Sequence, residues 1–280
     1  MATADKVHGV DRDVIGLIPA GGEARRLAPL PCSKELYPVG FRSVDEGRSL
    51  RPKVACHYLL EKMRAAGITR AYIVLRDGKW DIPAYLGDGG IVDMSLAYLT
   101  IRRSPGVPYT LDQAYTFVQD AVVAFGFPDI IFHADDAFVR LLARQTATKA
   151  DVVLGLFPTD QPHKWDMADL DADGRIRRIE IKPHETPLRY AWSIAVWTPA
   201  FSRFMHECLA ALEIARRQEN REEQREVIVS DVITAALAEH VGVQGVVFPD
   251  ATCLDIGTAE DLMKAVRHIG YPQLWPPPPR

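Results

Sequence analysis

Short apolar runs alternate with helical patterns through the first half of the chain. The runs are rich in β-branched residues and carry little charge, which is typical of strands covered on both faces of a sheet. The predicted strands are residues 14–18, 71–75, 96–101, 129–132 and 151–157. Because most neighbouring runs are separated by a longer segment, helices are expected to connect them.

Three helices are predicted between these strands. Residues 51–66 carry apolar side chains near helical spacing, and Gly67 is well placed to end that helix. The other two helices are residues 111–124 and 137–148. Alternating strands and helices predict a three-layer α/β/α, Rossmann-like fold with a mixed, mostly parallel sheet, whose ligands bind at the carboxyl ends of the strands.

The second half of the chain has a different pattern. Two neighbouring strands, 175–181 and 189–196, are expected after a turn at residues 171–174. Helices are predicted over residues 201–217, from Ser230 to about 238, and from the capping residue Thr258 to about 268. The charged run 216–226 is interpreted as a solvated surface, and the prolines at 276–279 as a surface extension.

Composition indicates an ordinary folded protein. Of the 280 residues, 48% are hydrophobic and 25% are charged, and no linker marks a boundary, so a single domain with a core over about 14–267 is predicted. A net charge of −4 gives no reason to expect nucleic acid or membrane partners. The four cysteines are scattered, and no apolar run approaches the roughly 20 residues that span a bilayer, so a cytoplasmic location is expected.

The first predicted strand runs into a turn rich in glycine and arginine. Gly21 and Gly22 follow the strand, and Arg26 and Lys34 come soon after. A tight glycine turn exposes backbone N–H groups, and nearby cations can neutralise a triphosphate. The spacing is neither that of the Walker motif nor that of the dinucleotide motif. Taken alone, the turn fits a phosphate site and a glycine turn with surface arginines about equally well.

This stretch resembles the signature of sugar-1-phosphate nucleotidyltransferases, which is L-A-x-G-x-G-T-R-L-x-P followed by P-K and L-x-P-V. Glucose-1-phosphate thymidylyl- and uridylyltransferases typify that family. The resemblance implies that Arg26 holds the triphosphate and that Lys34 contacts substrate phosphates. It also implies that the nucleotide is lined by Ala20, Gly21 and Gly22.

Further segments continue the resemblance on the nucleotide and metal side. Residues 108–114 are similar to the base-binding loop of the family, which implies contacts from Thr110 and Leu111. Residues 133–136 are similar to L-G-D-N, whose aspartate binds Mg²⁺; Asp135 is the better match, with Asp136 as the alternative. Residues 254–262 match W-x-D-I-G-T-P-E-D-L, which implies that Asp255 is the second metal ligand.

On the acceptor side, residues 170–176 and 180–183 resemble F-D-x-D-G-R-V and E-E-K-P, and residues 190–193 resemble Y-A-V-T. The resemblance implies that Lys182 grips the phosphate of the sugar. It implies further contacts to the sugar phosphate from Glu180, Ser193 and Trp165.

Several positions depart from the family pattern. Ala24 and Arg25 stand where the pattern has Gly-Thr. Asp166, Ile181 and Ile194 replace a glycine, a glutamate and a glycine, so the acceptor pocket is not expected to be the ordinary glucose pocket. An apparent insertion around residues 44–50 is expected to form a lid or a contact between copies of the chain.

Other interpretations exist for the same acidic residues. The segment from Asp169 to Glu180 satisfies D-x-D-x-D-G-x₅-E, a calcium-loop pattern, but no flanking helices are predicted and three arginines intervene, which argues against calcium. Asp135 and Asp136 could cap a helix, Asp255 could brace a turn and Lys182 could be a surface lysine. The order of the segments along the chain favours the functional interpretation.

The implied reaction is attack by the phosphate oxygen of a sugar 1-phosphate on the α-phosphorus of a nucleoside triphosphate, with release of pyrophosphate. Two anions must be brought together, so the cations Arg26, Lys34 and Lys182 and a Mg²⁺ ion are the expected catalytic parts. Two alternatives stay open: a non-catalytic nucleotide- or sugar-nucleotide-binding member of the same fold, and a cytidylyltransferase acting on a non-sugar phosphate.

Overall fold

The computed structural model describes residues 13–44, 48–102, 104–219 and 225–270. The strands are β1 Val14–Ala20, β2 Pro38–Val44, β3 Ser49–Val54, β4 Arg70–Arg76, β5 Ser95–Ile101, β6 Val122–Gly126, β7 Ile130–Phe132, β8 Val152–Pro158, β9 Asp166–Leu170, β10 Ile176–Ile181, β11 Tyr190–Trp197, β12 Val243–Val247 and β13 Cys253–Asp255. The helices are α1 Ala55–Ala65, α2 Asp81–Leu86, α3 Val107–Asp112, α4 Tyr115–Val118, α5 Ala137–Thr148, α6 Pro199–Glu219, α7 Val229–Ala238 and α8 Ala259–Ala265. The predicted N-terminal extension, the proline tail and part of the charged run 216–226 lie outside the described residues.

The central sheet is mixed, and the predicted α/β fold class is confirmed. Its main path runs β10-β9-β11-β6-β1-β4-β5, and β8 pairs with β11 and β12. Strand β1 is parallel to both β4 and β6, so the N-terminal half is parallel, whereas β11 is antiparallel to β6 and β8. The end of β1 therefore lies at the centre of the sheet.

Two hydrophobic cores lie on opposite faces of this sheet, and each packs a layer of helices against it. Leu17 and Ile18 are neighbours on β1 and point to opposite faces because side chains alternate along a strand. Ile18 belongs to the core that includes Leu59 of α1 and Phe138 of α5. Leu17 belongs to the core that includes Phe201 of α6. Helices thus cover both faces of the sheet, as expected for continuous apolar strands.

Three local predictions were wrong. The helix predicted over 111–124 is broken, because its last residues begin β6, whose side chains Val122–Gly126 are all buried next to β1. The helix predicted over 51–66 begins at Ala55, since the preceding residues form β3. The strands predicted over 175–181 and 189–196 are not direct neighbours, because the short strand β9 pairs with β10 and lies on the path between β10 and β11.

The acidic segment 169–174 is a hairpin turn. It connects β9 to β10, and Asp171 accepts hydrogen bonds from the backbone N–H groups of Asp173 and Arg175 at 3.0 and 2.9 Å. Strands flank the turn on both sides, so the argument against a calcium loop holds. On either side of the apparent insertion, β2 and β3 pair antiparallel, and residues 45–47 lie outside the described residues. Within the described ranges, no helix has the length and apolar character needed to cross a membrane.

His57 is a buried residue of α1 with an unusual environment. Its side chain is fully buried, and neither ring nitrogen has a hydrogen-bond partner in the part of the chain that the structure describes. Burial, helped by the charges of Arg42 and Lys53, lowers the pKa of His57 from 6.5 to about 4. The folded protein therefore holds the neutral imidazole at pH values where the unfolded chain is already protonated.

We expect the protonation of His57 to contribute to the loss of folding stability at acidic pH. Because the folded pKa of His57 lies below the unfolded value, stability is retained above pH 6.5 and falls as the pH drops towards 4, by at most about 1.4 kcal/mol per pH unit. His57→Leu should flatten this part of the curve. Urea unfolding from pH 7.5 to 4 measures the difference between the two proteins. Parallel curves for both would contradict the prediction.

Candidate active site

The turn after β1 presents unused backbone donors. From Gly22 to Arg26, no backbone N–H group donates to an acceptor within the described ranges, whereas the N–H groups of Leu27 and Ala28 both donate to the Ala24 carbonyl, at 2.9 and 3.0 Å. Successive free N–H groups in a curved turn form a concave site for an anion. The predicted phosphate turn therefore has the backbone geometry that phosphate binding needs.

Ala24 adopts a backbone conformation that normally favours glycine. Its φ is 51°, in the left-handed region, and it stands at a position where the family pattern in this turn has glycine. An L-residue there costs roughly 1–2 kcal/mol. The turn therefore holds a non-glycine residue in a conformation that glycine adopts more easily.

We expect Ala24→Gly to stabilise the protein slightly. Relief of the left-handed strain is partly offset by the greater freedom of glycine in the unfolded chain, which leaves a gain of roughly 0.5–1 kcal/mol. Ala143→Gly, on the exposed side of helix α5, is the matched control and should lose about 1 kcal/mol. Urea unfolding checks both variants. A loss of stability in Ala24→Gly equal to that of the control would contradict the assigned strain.

Lys34 lies beside two carboxylates. Its ammonium forms an ion pair with Asp129, and both side chains are largely buried. Asp255 adjoins this pair, because β13 pairs with β7 so that Asp255 lies opposite Ile130, the residue after Asp129. Burial and the charge of Asp129 raise the pKa of Asp255. Burial alone would lower the pKa of Lys34, but Asp129, Glu35 and Asp255 together raise it.

Arg26 lies next to Asp255, one of the two carboxylates of the Asp129–Asp255 pair. Its Nη2 lies 4.0 Å from Oδ2 of Asp255. Gly257 makes the approach possible, since a Cβ at that position would lie 2.7 Å from Nη2 of Arg26 and 2.9 Å from Oδ1 of Asp255. The Gly257 N–H also donates to Oδ1 of Asp255 at 2.8 Å, which orients the carboxylate. The structure therefore brings Arg26, Lys34 and Asp255 together.

Asp135, the other predicted metal ligand, lies apart from these three residues. Strand β7 separates the two: Asp255 lies opposite Ile130 at its start, whereas Asp135 lies beyond its end. The Asp135 carboxylate accepts a hydrogen bond from Lys62 at 2.9 Å, and its side chain is 93% exposed. Asp136 precedes the first turn of α5. Asp135 is therefore engaged by Lys62 at a different position along the strand pair from Asp255, and its role as a metal ligand stays a prediction.

Asp129 is the functional candidate that the sequence analysis missed. In the sequence it is the first residue of a predicted strand, and no motif assigns it a role. The signal was the fully buried run of β6, next to β1, followed after two residues by an aspartate. Had that run been identified as a central strand, an acidic residue beyond its carboxyl end would have been the expected ligand position.

The predicted base-binding loop lies beside the phosphate turn. A Cβ on Gly21 would lie 3.4 Å from Oγ1 of Thr110, so the Thr110 side chain packs against the backbone of Gly21. Thr110 is buried, and its hydroxyl donates to Oγ of Ser104 at 2.7 Å. Leu111 is also buried in the core. The structure therefore leaves little of either side chain exposed to a ligand.

A cavity of about 230 Å³ opens on the other side of Asp255. It is lined in part by Trp165, Lys164 and Cys253. Ser193 lies behind it in a bulge of β11, and the Cys253 thiol donates to the Ser193 hydroxyl at 3.5 Å. Trp165 and Ser193, predicted on the acceptor side, therefore lie near the carboxylate pair, although Ser193 itself is buried.

Lys182 lies at the edge of this region in a left-handed conformation, with φ of 42°. Its N–H donates to the Trp165 carbonyl at 3.2 Å, and its side chain is exposed. Glu180, by contrast, is engaged within the protein: Arg178 forms an ion pair with it and the Thr186 hydroxyl donates to it at 2.6 Å. Of the two, Lys182 has the freer side chain.

Asp166 adds a buried carboxylate next to Lys182. The Ser230 hydroxyl donates to Oδ2 of Asp166 at 2.5 Å, and Nε1 of Trp192 donates to the same Ser230 oxygen at 2.9 Å. Burial raises the pKa of Asp166, whereas the charge of Lys182 opposes that rise. The acceptor side therefore carries an acidic group where the family pattern has glycine.

The fold and this site together define a three-layer α/β protein with a phosphate-type turn at the end of β1 and an acidic pair beside it. Residues 15–270 match the model of the nucleotidyl transferase family, so the chain belongs to that family.

Curated relatives and solved structures agree with this assignment. The glucose-1-phosphate thymidylyltransferase of Streptomyces antibioticus is 28% identical over 208 residues, which cover 72% of this chain and 53% of that protein. The low-salt glycan biosynthesis nucleotidyltransferase Agl11 of Haloferax volcanii is 24% identical over 253 residues, covering 89% and 64%. The chain thus spans between half and two thirds of the length of these relatives.

Two solved structures share the fold. A crystal structure described as a glucose-1-phosphate thymidylyltransferase of Bacillus anthracis, in complex with sucrose, superposes with a TM-score of 0.72 at 22% identity, covering 91% of this chain and 94% of that one. A UDP-glucose pyrophosphorylase complexed with UDP-glucose gives a TM-score of 0.71 at 15% identity, with 91% and 98% covered. At these identities the likeness establishes the fold.

Proposed function

We propose that this protein transfers a nucleoside monophosphate from a nucleoside triphosphate to a sugar 1-phosphate and releases pyrophosphate. The observation that carries the proposal is the convergence of the free N–H groups of the turn, Arg26 and Lys34 on the Asp129–Asp255 pair. The names of the curated relatives support the same class of reaction. A cytoplasmic location remains part of this proposal.

Each cationic group of the site binds a different phosphate of the two substrates. The N–H groups after Gly21 and the Arg26 guanidinium bind the triphosphate, and Lys34 neutralises the oxygens nearest the acidic pair. Lys182, from the edge of the cavity, binds the phosphate of the acceptor. An acceptor oxygen then attacks the α-phosphorus as the bond to pyrophosphate breaks. Positioning and charge neutralisation supply the catalysis, and the reaction needs no side-chain nucleophile.

The acidic pair fits a Mg²⁺ ion. Mg²⁺ prefers one or two carboxylates together with phosphate oxygens and water, and Asp129 and Asp255 offer two neighbouring carboxylates beside the phosphate turn. When bound, the ion would neutralise charge on the phosphates during the displacement. Among the described residues, no group of three or more His, Cys, Asp or Glu side chains forms a site of its own.

The direct test is pyrophosphate release across a panel of five triphosphates, ATP, GTP, CTP, UTP and dTTP, each paired with several sugar 1-phosphates and with a non-sugar phosphate. We expect turnover with at least one sugar 1-phosphate, and its loss in Asp255→Ala. Asp250→Ala is the matched control, an exposed aspartate five residues earlier. Nucleotide binding without turnover of any pair would favour a non-catalytic nucleotide-binding protein. Turnover confined to CTP and the non-sugar phosphate would favour a cytidylyltransferase that acts on a non-sugar phosphate.

A further inference from the structure

The connection between β4 and α2 contacts the phosphate-binding segment at three places. We define the brace as residues 76–81, from the last residue of β4 to the first of α2. It lies far from the turn in sequence, but its strand β4 is the parallel neighbour of β1, so both connections leave the sheet at the same edge. The contacts fall at both ends of the segment 21–36.

Lys79 of the brace forms a buried ion pair with Glu35. Its Nζ lies 2.6 Å from Oε1 of Glu35, and the side chains are only 8% and 2% exposed. Burial raises the pKa of Glu35 against the opposing charge of Lys79. The second carboxylate oxygen of Glu35 has no hydrogen-bond partner in the part of the chain that the structure describes. Glu35 directly follows Lys34.

Asp81 of the brace holds the residue on the other side. Its two carboxylate oxygens accept hydrogen bonds from the backbone N–H and the hydroxyl of Ser33, at 2.6 and 2.7 Å. Ser33 directly precedes Lys34. Both chain neighbours of Lys34 are therefore anchored to the brace, and the ammonium of Lys34 is left to reach Asp129.

The third contact lies at the start of the turn. Nη1 of Arg76 donates to Oε1 of Glu23 at 2.7 Å. Glu23 is the acidic residue of the turn, and Arg25 pairs with it as well. Since a carboxylate there would repel a triphosphate, Arg76 and Arg25 together offset its charge, and Arg76 links the turn to the brace.

We propose that the brace is a positioning device for Lys34, with the Lys79–Glu35 and Asp81–Ser33 contacts as its working parts. The proposal rests on the proposed function, because it assigns the brace to the site that binds the triphosphate. A buried ion pair is seldom the most stabilising choice, since a well-packed apolar pair is often as stable. Its geometry, however, fixes the adjacent backbone. A displacement of about 1 Å at a reacting centre can cost about 100-fold in rate.

The test replaces the buried pair by an apolar one of similar size. In the full chain, Glu35→Leu/Lys79→Met is expected to fold with little loss of stability and to lose about 100-fold in kcat/KM for the triphosphate. Lys53→Met/Glu61→Leu removes a second Lys–Glu pair, which has no contact with residues 21–36 in the part of the chain that the structure describes, and should retain the wild-type value. If the double variant does not fold, Asp81→Asn takes its place. A folded brace variant with wild-type kcat/KM would overturn the proposal.

A second measurement separates positioning from a general structural role. In a Lys34→Ala background, the brace variant should cause almost no further loss, because residues that act through one group are not additive. An equal loss in both backgrounds would overturn the proposal. A readout independent of activity is the rate of Lys34 acetylation by limiting acetic anhydride, followed by mass spectrometry. We expect this rate to rise several-fold in the brace variant and to stay unchanged in the Lys53/Glu61 control.

This labelling also keeps the two proposals apart. If wild-type protein turns over no pair in the panel, the proposed function fails, while the labelling still tests the brace. An unchanged Lys34 rate then overturns the brace, and an increased rate supports it.

Discussion

Replacing Asp129 by alanine is expected to lower turnover by about a thousandfold, which corresponds to about 4 kcal/mol of lost charge stabilisation at a metal site. Asp135→Ala is expected to leave turnover within about twofold, because exposed substitutions rarely change energies by more than about 0.5 kcal/mol. The physical reason is position: Asp129 adjoins Asp255 and Lys34, whereas Asp135 lies beyond the other end of β7. The measurement is pyrophosphate release with the best substrate pair, over a range of Mg²⁺ concentrations.

Asp129→Asn controls for shape, since it keeps the size of the side chain and removes the charge. It should resemble the alanine variant in turnover, and thermal unfolding should confirm that each variant is folded. A large loss in Asp135→Ala together with normal turnover in Asp129→Ala would restore the assignment made from the sequence and reject the one made from the structure.

The placement of the residues on the nucleotide side follows largely from the sequence. One short segment contains Gly21, Gly22, Arg26 and Lys34, so their spacing in the sequence largely determines how close they lie in the structure. Asp255 was predicted from a specific local motif ending at a helix cap, and the structure has that cap, with the Thr258 hydroxyl accepting from the N–H of Asp261 at 3.2 Å. The sequence predicts the placement of these residues because short stretches of chain determine their relative positions.

Asp129 was missed because its role depends on which strand lies beside β1. The run Val122–Gly126 continues a segment with helical spacing, and a short apolar run is ambiguous between helix and strand. Its burial between β1 and β11 shows that it is a strand. The pairing joins residues 108 positions apart on the β1 side and about 70 apart on the β11 side, which no local pattern encodes.

The brace was unpredictable for a similar reason. Lys79 and Glu35 are separated by 44 positions, and each is an ordinary charged residue in the sequence. Only the parallel pairing of β1 with β4 brings their loops together. The acceptor side is an intermediate case: the departure at Asp166 was visible, but its bond to Ser230 was not.

Lys34→Met is expected to make the stability of the protein depend on Mg²⁺. Without a divalent ion, loss of the ammonium leaves Asp129 and Asp255 close together with no neighbouring lysine, and breaking a largely buried pair costs about 3 kcal/mol. Mg²⁺ at millimolar concentration should recover much of this stability, because an ion that binds only the folded state stabilises it by mass action. Turnover should stay at least about 100-fold below wild type, since the triphosphate has lost a positioned cation.

Urea unfolding with and without Mg²⁺ distinguishes this result from a simple loss of packing. Lys62→Met is the matched control, because Lys62 is also largely buried and also pairs with an aspartate, Asp135. It should lose stability without recovery by Mg²⁺, since one exposed carboxylate binds the ion weakly. Equal stabilisation of both variants by Mg²⁺ would mean that the ion acts elsewhere on the protein. Selective stabilisation of Lys34→Met would tie the ion to Asp129 and Asp255 by an equilibrium measurement that needs no substrate.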